Sequence, residues 1–118
     1  MTWLAMLWWL LVGHAVADFW AQSDALAQMK NRNRPNTRVP PGQKPMVIWP
    51  YALTAHAVMH GAAVAIVTGS VVLGVAETAA HWVIDFGKCE NWYGIHVDQA
   101  LHGVCKVAWL LLLVGGAT

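Results

Sequence analysis

The feature that most constrains this chain is a set of four apolar runs, each close to the length that crosses a lipid bilayer. The runs cover about residues 3–20, 50–68, 71–86 and 95–114, and a helix of about 20 apolar residues spans the hydrocarbon core. Hydrophobic residues make up 58% of the chain and charged residues 11%, unlike the balance of a soluble domain. The sequence therefore predicts an all-α integral membrane protein, with about four transmembrane helices in a small antiparallel bundle.

The 118 residues are expected to form a single membrane domain with one hydrophilic segment, residues 23–46. This segment contains prolines and predicts a loop, because proline cannot continue a helix. The positive-inside rule places a basic loop in the cytoplasm, which predicts a multi-pass protein of the bacterial inner membrane. Attraction to anionic lipid headgroups is the expected role of the basic residues, and no nucleic-acid partner is expected. Those residues are Lys30, Arg32, Arg34, Arg38 and Lys44.

The first apolar run has some features of a secretory signal peptide, since it ends in the small residues Ala15-Val16-Ala17. A positively charged amino-terminal region is missing, so a retained first membrane helix is predicted instead.

Cys89 and Cys105 do not form a metal-binding or redox spacing, and both are predicted to be free thiols.

Each apolar run carries histidines or carboxylates at four-residue spacing. Residues four apart lie on one face of a helix, one turn above the other. An aspartate at the centre of a membrane helix costs about 2.5–3.5 kcal/mol on insertion scales, so these groups are expected to have partners inside the protein. They are His14 and Asp18 in the first run, His56 and His60 in the second, Glu77, His81 and Asp85 in the third, and Asp98 and His102 in the fourth.

The depth of these side chains predicts one intramembrane His/Asp site near the cytoplasmic face, because each polar pair lies at the cytoplasmic end of its helix. Imidazole and carboxylate are typical ligands of divalent metals, and nine candidates exceed the four ligands of a tetrahedral zinc. We therefore expect one or two ions of zinc, manganese or iron. His56 and Asp98 are expected to be ligands or general acid and base, and Lys88 or Gln99 is expected to contact a substrate anion. The expected metal ligands are His14, Asp18, His60, His81, Asp85 and His102.

Structural roles explain several of these residues when each is taken alone. A single membrane histidine often only hydrogen-bonds across a helix interface, and Glu77 could be protonated or pair with the backbone. Lys106 lies one turn beyond His102 and is expected to form a buried salt bridge or to extend its amine to the interface. Trp82, next to His81, is either an interface anchor or a wall of the site.

The segment from His14 to Gln22 has the pattern H-x-x-x-D-F-x-x-Q. It resembles a family of small bacterial and phage membrane proteins, domain of unknown function 3307. The resemblance covers nearly the whole chain; it implies the fold but brings no activity with it. The other matching segments are Ser23-Asp24 to Lys30, His56-x-x-x-His60, His81-x-x-x-Asp85-x-x-Lys88 and Asp98-Gln99-x-x-His102.

The leading functional hypothesis is a membrane-bound, metal-dependent hydrolase acting on a phosphoester or ester. Its expected partners are the lipid bilayer and a lipid-linked or anionic small-molecule substrate. The alternatives are an ion or proton transporter, a regulatory membrane protein of phage origin and a haem-binding bundle. An ion or proton relay should reach both membrane surfaces, whereas the outer halves of the first, second and fourth runs are apolar. A haem site is disfavoured because each histidine-bearing helix apart from the second also carries a carboxylate one turn away. A homo-oligomer is left open.

Overall fold

The computed structural model describes residues 1–34, 40–44 and 46–116, and within these ranges all regular secondary structure is helical. The predicted all-α fold class is therefore confirmed. Helix α1 (Trp3–Ala15) runs directly into one π-helical turn (Val16–Trp20). The other helices are α2 (Asp24–Met29), α3 (Trp49–Thr68), α4 (Val71–Cys89) and α5 (Ile95–Val114).

Local sequence signals explain where the helices begin and end. The hydroxyl oxygen of Thr2 accepts a hydrogen bond from a backbone N–H in the first turn of α1, and Ser70 does the same for α4, which satisfies donors that a helix start leaves unpaired. Pro50 lies in the first turn of α3, where its missing N–H costs nothing. Gly69 ends α3 with a φ of 71°, the left-handed conformation that glycine adopts without strain. The chain therefore turns back sharply, and α3 and α4 form an antiparallel hairpin.

Three helical segments are long and apolar enough to cross a membrane: Trp3–Trp20, Trp49–Thr68 and Ile95–Val114. Apolar side chains such as Trp8, Ile66 and Leu111 are between 64% and 81% exposed on them. Large apolar side chains that face outward along several helices are typical of a lipid-exposed surface. The expected membrane character is thus supported by three candidate spans.

Helices α3 and α4 pack closely because glycines face each other in their contact. A methyl group built on Gly74 would lie 2.7 Å from the Cβ of Ala65 and 2.8 Å from the carbonyl oxygen of Gly61. One built on Gly61 would overlap Thr78 and the carbonyl oxygen of Gly74. Small residues allow such close backbone approach between membrane helices. The α3–α4 pair therefore forms a rigid base for the side chains that both helices carry.

The bundle interior has an apolar half and a polar half. The buried apolar cluster consists of Leu10, Val64, Leu73 and Leu110, one from each of the four long helices. At the other end of the bundle the interior positions are occupied by histidines, carboxylates and lysines. Because α3 and α4 are antiparallel, and the polar pairs lie at the ends of α1 and α4 and the starts of α3 and α5, the polar residues share one end of the molecule.

Two local predictions were wrong. The segment 23–46 was expected to be a loop throughout, but it begins with α2, because Ser23 accepts a hydrogen bond from the N–H of Leu26 and no proline precedes residue 35. The third helix was expected to end at about residue 86, but α4 continues to Cys89. The hydroxyl of Tyr93 donates to the carbonyl oxygen of Ile84 and fixes the turn that follows this last part of α4. Arg38 lies outside the described residues. Both cysteines are free thiols, as predicted.

Adding a methyl group at the α3–α4 contact should destabilise the bundle. We expect Gly61→Ala to lower the free energy of unfolding by about 1–3 kcal/mol, because the close backbone contact cannot be kept. Thermal unfolding in detergent measures the change. The matched control is Gly103→Ala in α5, where an added Cβ meets no other atom, so this variant should be as stable as the parent or slightly more stable. Equal stability of the two variants would contradict the packing argument.

Candidate functional site

The π-helical turn Val16–Trp20 carries Asp18 at the polar end of α1. Its defining hydrogen bond runs from the N–H of Ala21 to the carbonyl oxygen of Val16, at 2.8 Å, which accommodates one residue more than an α-helical turn. Such turns occur frequently at functional sites. The side chain of Asp18 remains beside that of His14, with Nε2 of His14 3.4 Å from Oδ2 of Asp18.

The other carboxylate oxygen of Asp18 faces three histidines. Its Oδ1 atom lies 3.2 Å from Nε2 of His56, 3.1 Å from Nε2 of His60 and 4.0 Å from Nε2 of His81. These three histidines are at most 1% exposed. Two helices, α3 and α4, thus direct imidazole nitrogens from different sides toward a single oxygen atom.

A second group of carboxylates lies between α4 and α5. Nε2 of His102 is 3.2 Å from Oδ1 of Asp85 and 3.6 Å from Oδ1 of Asp98. The ammonium group of Lys30, which directly follows α2, lies 2.5 Å from Oδ2 of Asp85. Lys30 is only 7% exposed, so the short helix α2 directs a positively charged side chain into the site.

Five imidazole rings form the centre of the site. The ring of His81 stacks between those of His60 and His102, with centroid distances of 3.6 and 4.1 Å. His14 lies 5.2 Å from His60 and 5.0 Å from His102, and His56, the fifth ring, lies 4.7 Å from His60 and 5.1 Å from His81. Rings this close would repel one another strongly if all were protonated. Neutral rings offer lone pairs, which is the form that binds metals.

Many of these nitrogen atoms have no hydrogen-bond partner among the described residues. Nδ1 is unpaired in all five histidines, and so is Nε2 in His56, His60 and His81. The close approaches to Asp18 do not have hydrogen-bond geometry. A buried polar atom left unpaired costs about 1–3 kcal/mol, so this many unpaired atoms in one place are unusual for a purely structural network.

Three sets of side chains place their ligand atoms within 4.8 Å of one another, close enough to hold a metal ion after small adjustments. The first and third sets have no residue in common, so two ions could be held together. His81 and His102 each belong to two sets, which makes the sets one continuous cluster. The sets are Asp18, His56, His60 and His81; His14, His81 and His102; and Asp85, Asp98 and His102.

Behind the histidines lies a buried ion pair, which confirms the salt bridge given as one expectation for Lys106. The ammonium group of Lys106 is 2.5 Å from Oε1 of Glu77, and both residues are at most 1% exposed. The indole N–H of Trp109 donates to Oε2 of Glu77 at 2.5 Å. Oε1 of Glu77 also lies 3.5 Å from Nδ1 of His81. This approach is not a hydrogen bond, but it places the negative charge of Glu77 beside the imidazole ring of His81.

Breaking this ion pair from one side should be costly. We expect Glu77→Gln to lower the free energy of unfolding by about 3–5 kcal/mol, because it leaves the charge of Lys106 buried without its partner. The double variant Glu77→Gln with Lys106→Met should recover most of that loss. Chemical unfolding in detergent, arranged as a double-mutant cycle, measures the coupling. Additive effects of the two substitutions would contradict a direct ion pair.

The site opens into a cavity of about 90 Å³ at the polar end of the bundle. Gln99 connects its two sides, because its Nε2 donates to Oδ2 of Asp18 at 2.9 Å and to Oδ2 of Asp98 at 3.1 Å. The ammonium group of Lys88 lies 3.6 Å from Oδ2 of Asp98, and the lysine side chain is 36% exposed. Lys88 is therefore at the rim, where the aqueous side and the buried cluster meet.

An exposed clamp holds the segment after α2 against the end of α4. The guanidinium of Arg32 donates two hydrogen bonds to the carboxylate of Glu90, at 2.7 and 2.8 Å, and lies 5.1 Å from the ring centroid of Phe86. The bonds from Arg32 hold the pKa of Glu90 below its ordinary value. Asn33 adds a hydrogen bond to the carbonyl oxygen of Cys89 at 3.0 Å. The clamp thus holds the segment after α2 in a position where Lys30 contacts Asp85.

The comparison with protein families identifies the chain. Residues 6–116 match a family described as a protein of unknown function, DUF3307. The chain belongs to this family. The membership confirms the resemblance derived from the His14–Gln22 pattern. No curated protein and no solved structure matches the chain.

The family-like motifs contribute most of the site. The structure brings together nine of the ten residues predicted to bind metal, act as acid or base or contact substrate, Gln99 among them, and places the tenth, Lys88, at the rim. Lys30 was not predicted, because helical periodicity says nothing about a residue assigned to a loop. Glu77 and Lys106 carried a usable signal: each extends a four-residue stripe by one turn. Trp82 does not line the described cavity; its indole N–H donates to Thr54 at 3.1 Å and its ring stacks on Phe86.

Proposed function

We propose that this chain is a four-span protein of the bacterial inner membrane that holds one or two divalent cations and hydrolyses a phosphoester or ester at its cytoplasmic end. The observation that carries the proposal is the arrangement around Asp18, where three buried imidazole nitrogens face one carboxylate oxygen. Histidine and carboxylate ligands in this combination suit zinc, manganese and iron. A cation would also use the lone pairs that otherwise lack partners.

The proposed fourth span is α4, whose charged residues lower its overall hydropathy. Its outer face is nevertheless apolar, with Val75 65% and Val83 61% exposed. Glu77 and Asp85 instead point into the bundle, at 0% and 3% exposure. A helix with this division can face lipid on one side while its acids are paired inside. The basic segment after α2 would then lie in the cytoplasm by the positive-inside rule.

Two sets of ligands without a common residue support a two-ion site. The first would consist of Asp18, His56, His60 and His81, and the second of Asp85, Asp98 and His102. His81 also approaches the second set, because its Nε2 lies 3.6 Å from Oδ1 of Asp85. Hydrolytic enzymes that act on phosphoesters often use paired ions. A bound divalent cation would supply Lewis acidity and an activated water in such a site.

The protein's own residues would perform the remaining tasks. Asp98 would act either as a ligand of the second ion or as the general base. Its Oδ1 is buried without a hydrogen-bond partner among the described residues, and Asp98 lines the cavity, so it can accept a proton there. Lys88 reaches the same cavity from its rim and would contact a negatively charged substrate. Gln99 holds Asp18 and Asp98 in fixed relative positions through its two donated hydrogen bonds.

A transmembrane relay is less well supported. The polar groups extend from Lys30 as far as the Glu77–Lys106 pair, and the next residues along those stripes are Leu73 and Leu110, which belong to the buried apolar cluster. An ion or proton path would have to continue through that cluster. A haem site would need an open space between two facing histidines, whereas these rings stack at 3.6 and 4.1 Å.

The metal content of the purified protein tests the proposal first. Detergent-purified protein should contain about one or two divalent ions per chain, measured by inductively coupled plasma mass spectrometry. His60→Ala and Asp85→Ala should each lower the metal affinity by more than tenfold, because a ligand contributes at least as much as the groups that orient it.

His96→Ala is the matched control for metal binding. His96 is an exposed histidine in the first turn of α5, so the variant should keep the full metal content. Circular dichroism and gel filtration establish whether each variant is folded. Parent protein without stoichiometric metal after supplementation with zinc, manganese or iron would overturn the proposal.

Hydrolysis of chromogenic phosphoesters and esters by the metal-loaded protein tests the reaction. Asp98→Asn should lower kcat by about 10²–10⁴-fold, the usual contribution of a general base. Measuring metal content alongside separates two roles: retained metal with a lowered kcat indicates the base, and lost metal indicates a ligand. A variant with full metal and an unchanged kcat would contradict both.

A further inference from the structure

A second cavity adjoins the first on its outer side. It has a volume of about 330 Å³ and lies between the end of α2, the residues that follow it and the turn between α4 and α5. The two cavities share Gln22, Lys30, Lys88 and Ile95 in their walls. The outer cavity, which we call the vestibule, therefore leads directly to the carboxylates that line the inner one.

The two cavities differ in charge. The vestibule is lined by three cationic side chains, Lys30, Arg34 and Lys88, and by no carboxylate among its described lining residues. The inner cavity shares Lys30 and Lys88 with the vestibule but adds three carboxylates, those of Asp18, Asp85 and Asp98. A concave surface of one sign concentrates ligands of the opposite sign. An anion entering from outside would thus meet cations first and the proposed metal ligands second.

The two lysines lie where the cavities join, and each also contacts a carboxylate. Lys30 pairs with Asp85 at 2.5 Å, and Lys88 lies 3.6 Å from Asp98. If Asp85 and Asp98 turned toward a divalent cation, the ammonium groups of Lys30 and Lys88 would lose these partners and could donate hydrogen bonds to a negatively charged ligand instead. The site contains four carboxylates (Asp18, Glu77, Asp85 and Asp98) and three lysines (Lys30, Lys88 and Lys106), which leave a net charge of −1 with neutral histidines. Two divalent ions would make it +3.

A buried polar atom is available at the same junction. The Oε1 atom of Gln22 is buried and has no hydrogen-bond partner among the described residues, although Gln22 lines both cavities. The oxygen and nitrogen of an amide exchange places by a half-turn of the group. After that turn, Gln22 would present N–H donors to a ligand between the cavities.

We propose that the vestibule binds the phosphate group of a phosphate monoester and delivers it to the inner cavity. The proposal rests on the proposed hydrolase function and narrows its substrate from esters in general to phosphate monoesters. The planar guanidinium of Arg34 suits phosphate oxygens because it can donate two parallel hydrogen bonds. Lys30 and Lys88 supply point charges that balance a dianion. A neutral ester would gain nothing from these three cations.

The same phosphate chemistry could come from a soluble molecule or from a lipid headgroup at the cytoplasmic surface. Isothermal titration with inorganic phosphate tests the shared chemistry in detergent. Arg34→Gln and Lys88→Gln should each raise the Kd for phosphate about tenfold or more, since hydrogen bonds to charged groups are worth about 1.5–3 kcal/mol. Nanodiscs of phosphatidylcholine with added phosphatidate then show whether a lipid phosphate monoester displaces inorganic phosphate. Displacement assigns the lipid source; binding of inorganic phosphate without displacement assigns the soluble one.

Lys44→Gln is the matched control, because it removes one positive charge from the same basic segment at an exposed position that lines neither cavity. Its phosphate affinity should equal that of the parent. Absent phosphate binding, or binding that Arg34→Gln and Lys88→Gln leave unchanged, would overturn the vestibule proposal.

Metal analysis of the same samples distinguishes this failure from failure of the proposed hydrolase. Stoichiometric metal without phosphate binding overturns the vestibule alone. Phosphate binding that depends on Arg34 and Lys88 in a protein without metal supports the vestibule and overturns the hydrolase.

Discussion

The interior of this bundle depends on the compensation of buried carboxylates. Asp18, Asp85, Asp98 and Glu77 lie in a protein whose outer surface is largely apolar, and an unpaired charge in such surroundings is expensive. Each acid therefore has a histidine or a lysine beside it, drawn from another helix or from one turn away. The four-residue spacing of polar residues, the antiparallel arrangement of α3 and α4, and the inward direction of Lys30 all serve this one requirement.

The apolar half of the bundle closes one end of the interior and holds the helices that carry the polar residues. Leu10, Val64, Leu73 and Leu110 close the interior beyond the Glu77–Lys106 pair, and the glycines of α3 and α4 hold the two helices at close distance. The proposed site needs fixed helices, because side chains displaced by about 1 Å lose their shared geometry. Within the described residues, the apolar cluster closes one end of the polar interior, which opens toward the other end.

The regular parts of the fold and site could be predicted from the sequence, and the irregular parts could not. Helical spacing alone places His81 next to Asp85 and His102 next to Asp98, and a short Gly69 turn makes α3 and α4 neighbours. The π-helical turn at Asp18 has no comparable signal. Lys30 depends on a short helix whose only indications were Ser23 and the absence of early prolines. Glu77 and Lys106 were visible as members of stripes, but their pairing depended on tertiary packing.

The composition of α4 has a consequence for membrane insertion. This helix carries Glu77, Asp85 and Lys88, and its acids have their partners on other segments: Lys106 in α5 for Glu77 and Lys30 after α2 for Asp85. Those partners lie on both sides of α4 in the chain, so α4 cannot complete its charge pairing before α5 has been synthesised. For the proposed fourth span, membrane insertion would therefore be cooperative: α4 would be the segment least able to enter lipid alone until α5 has been synthesised.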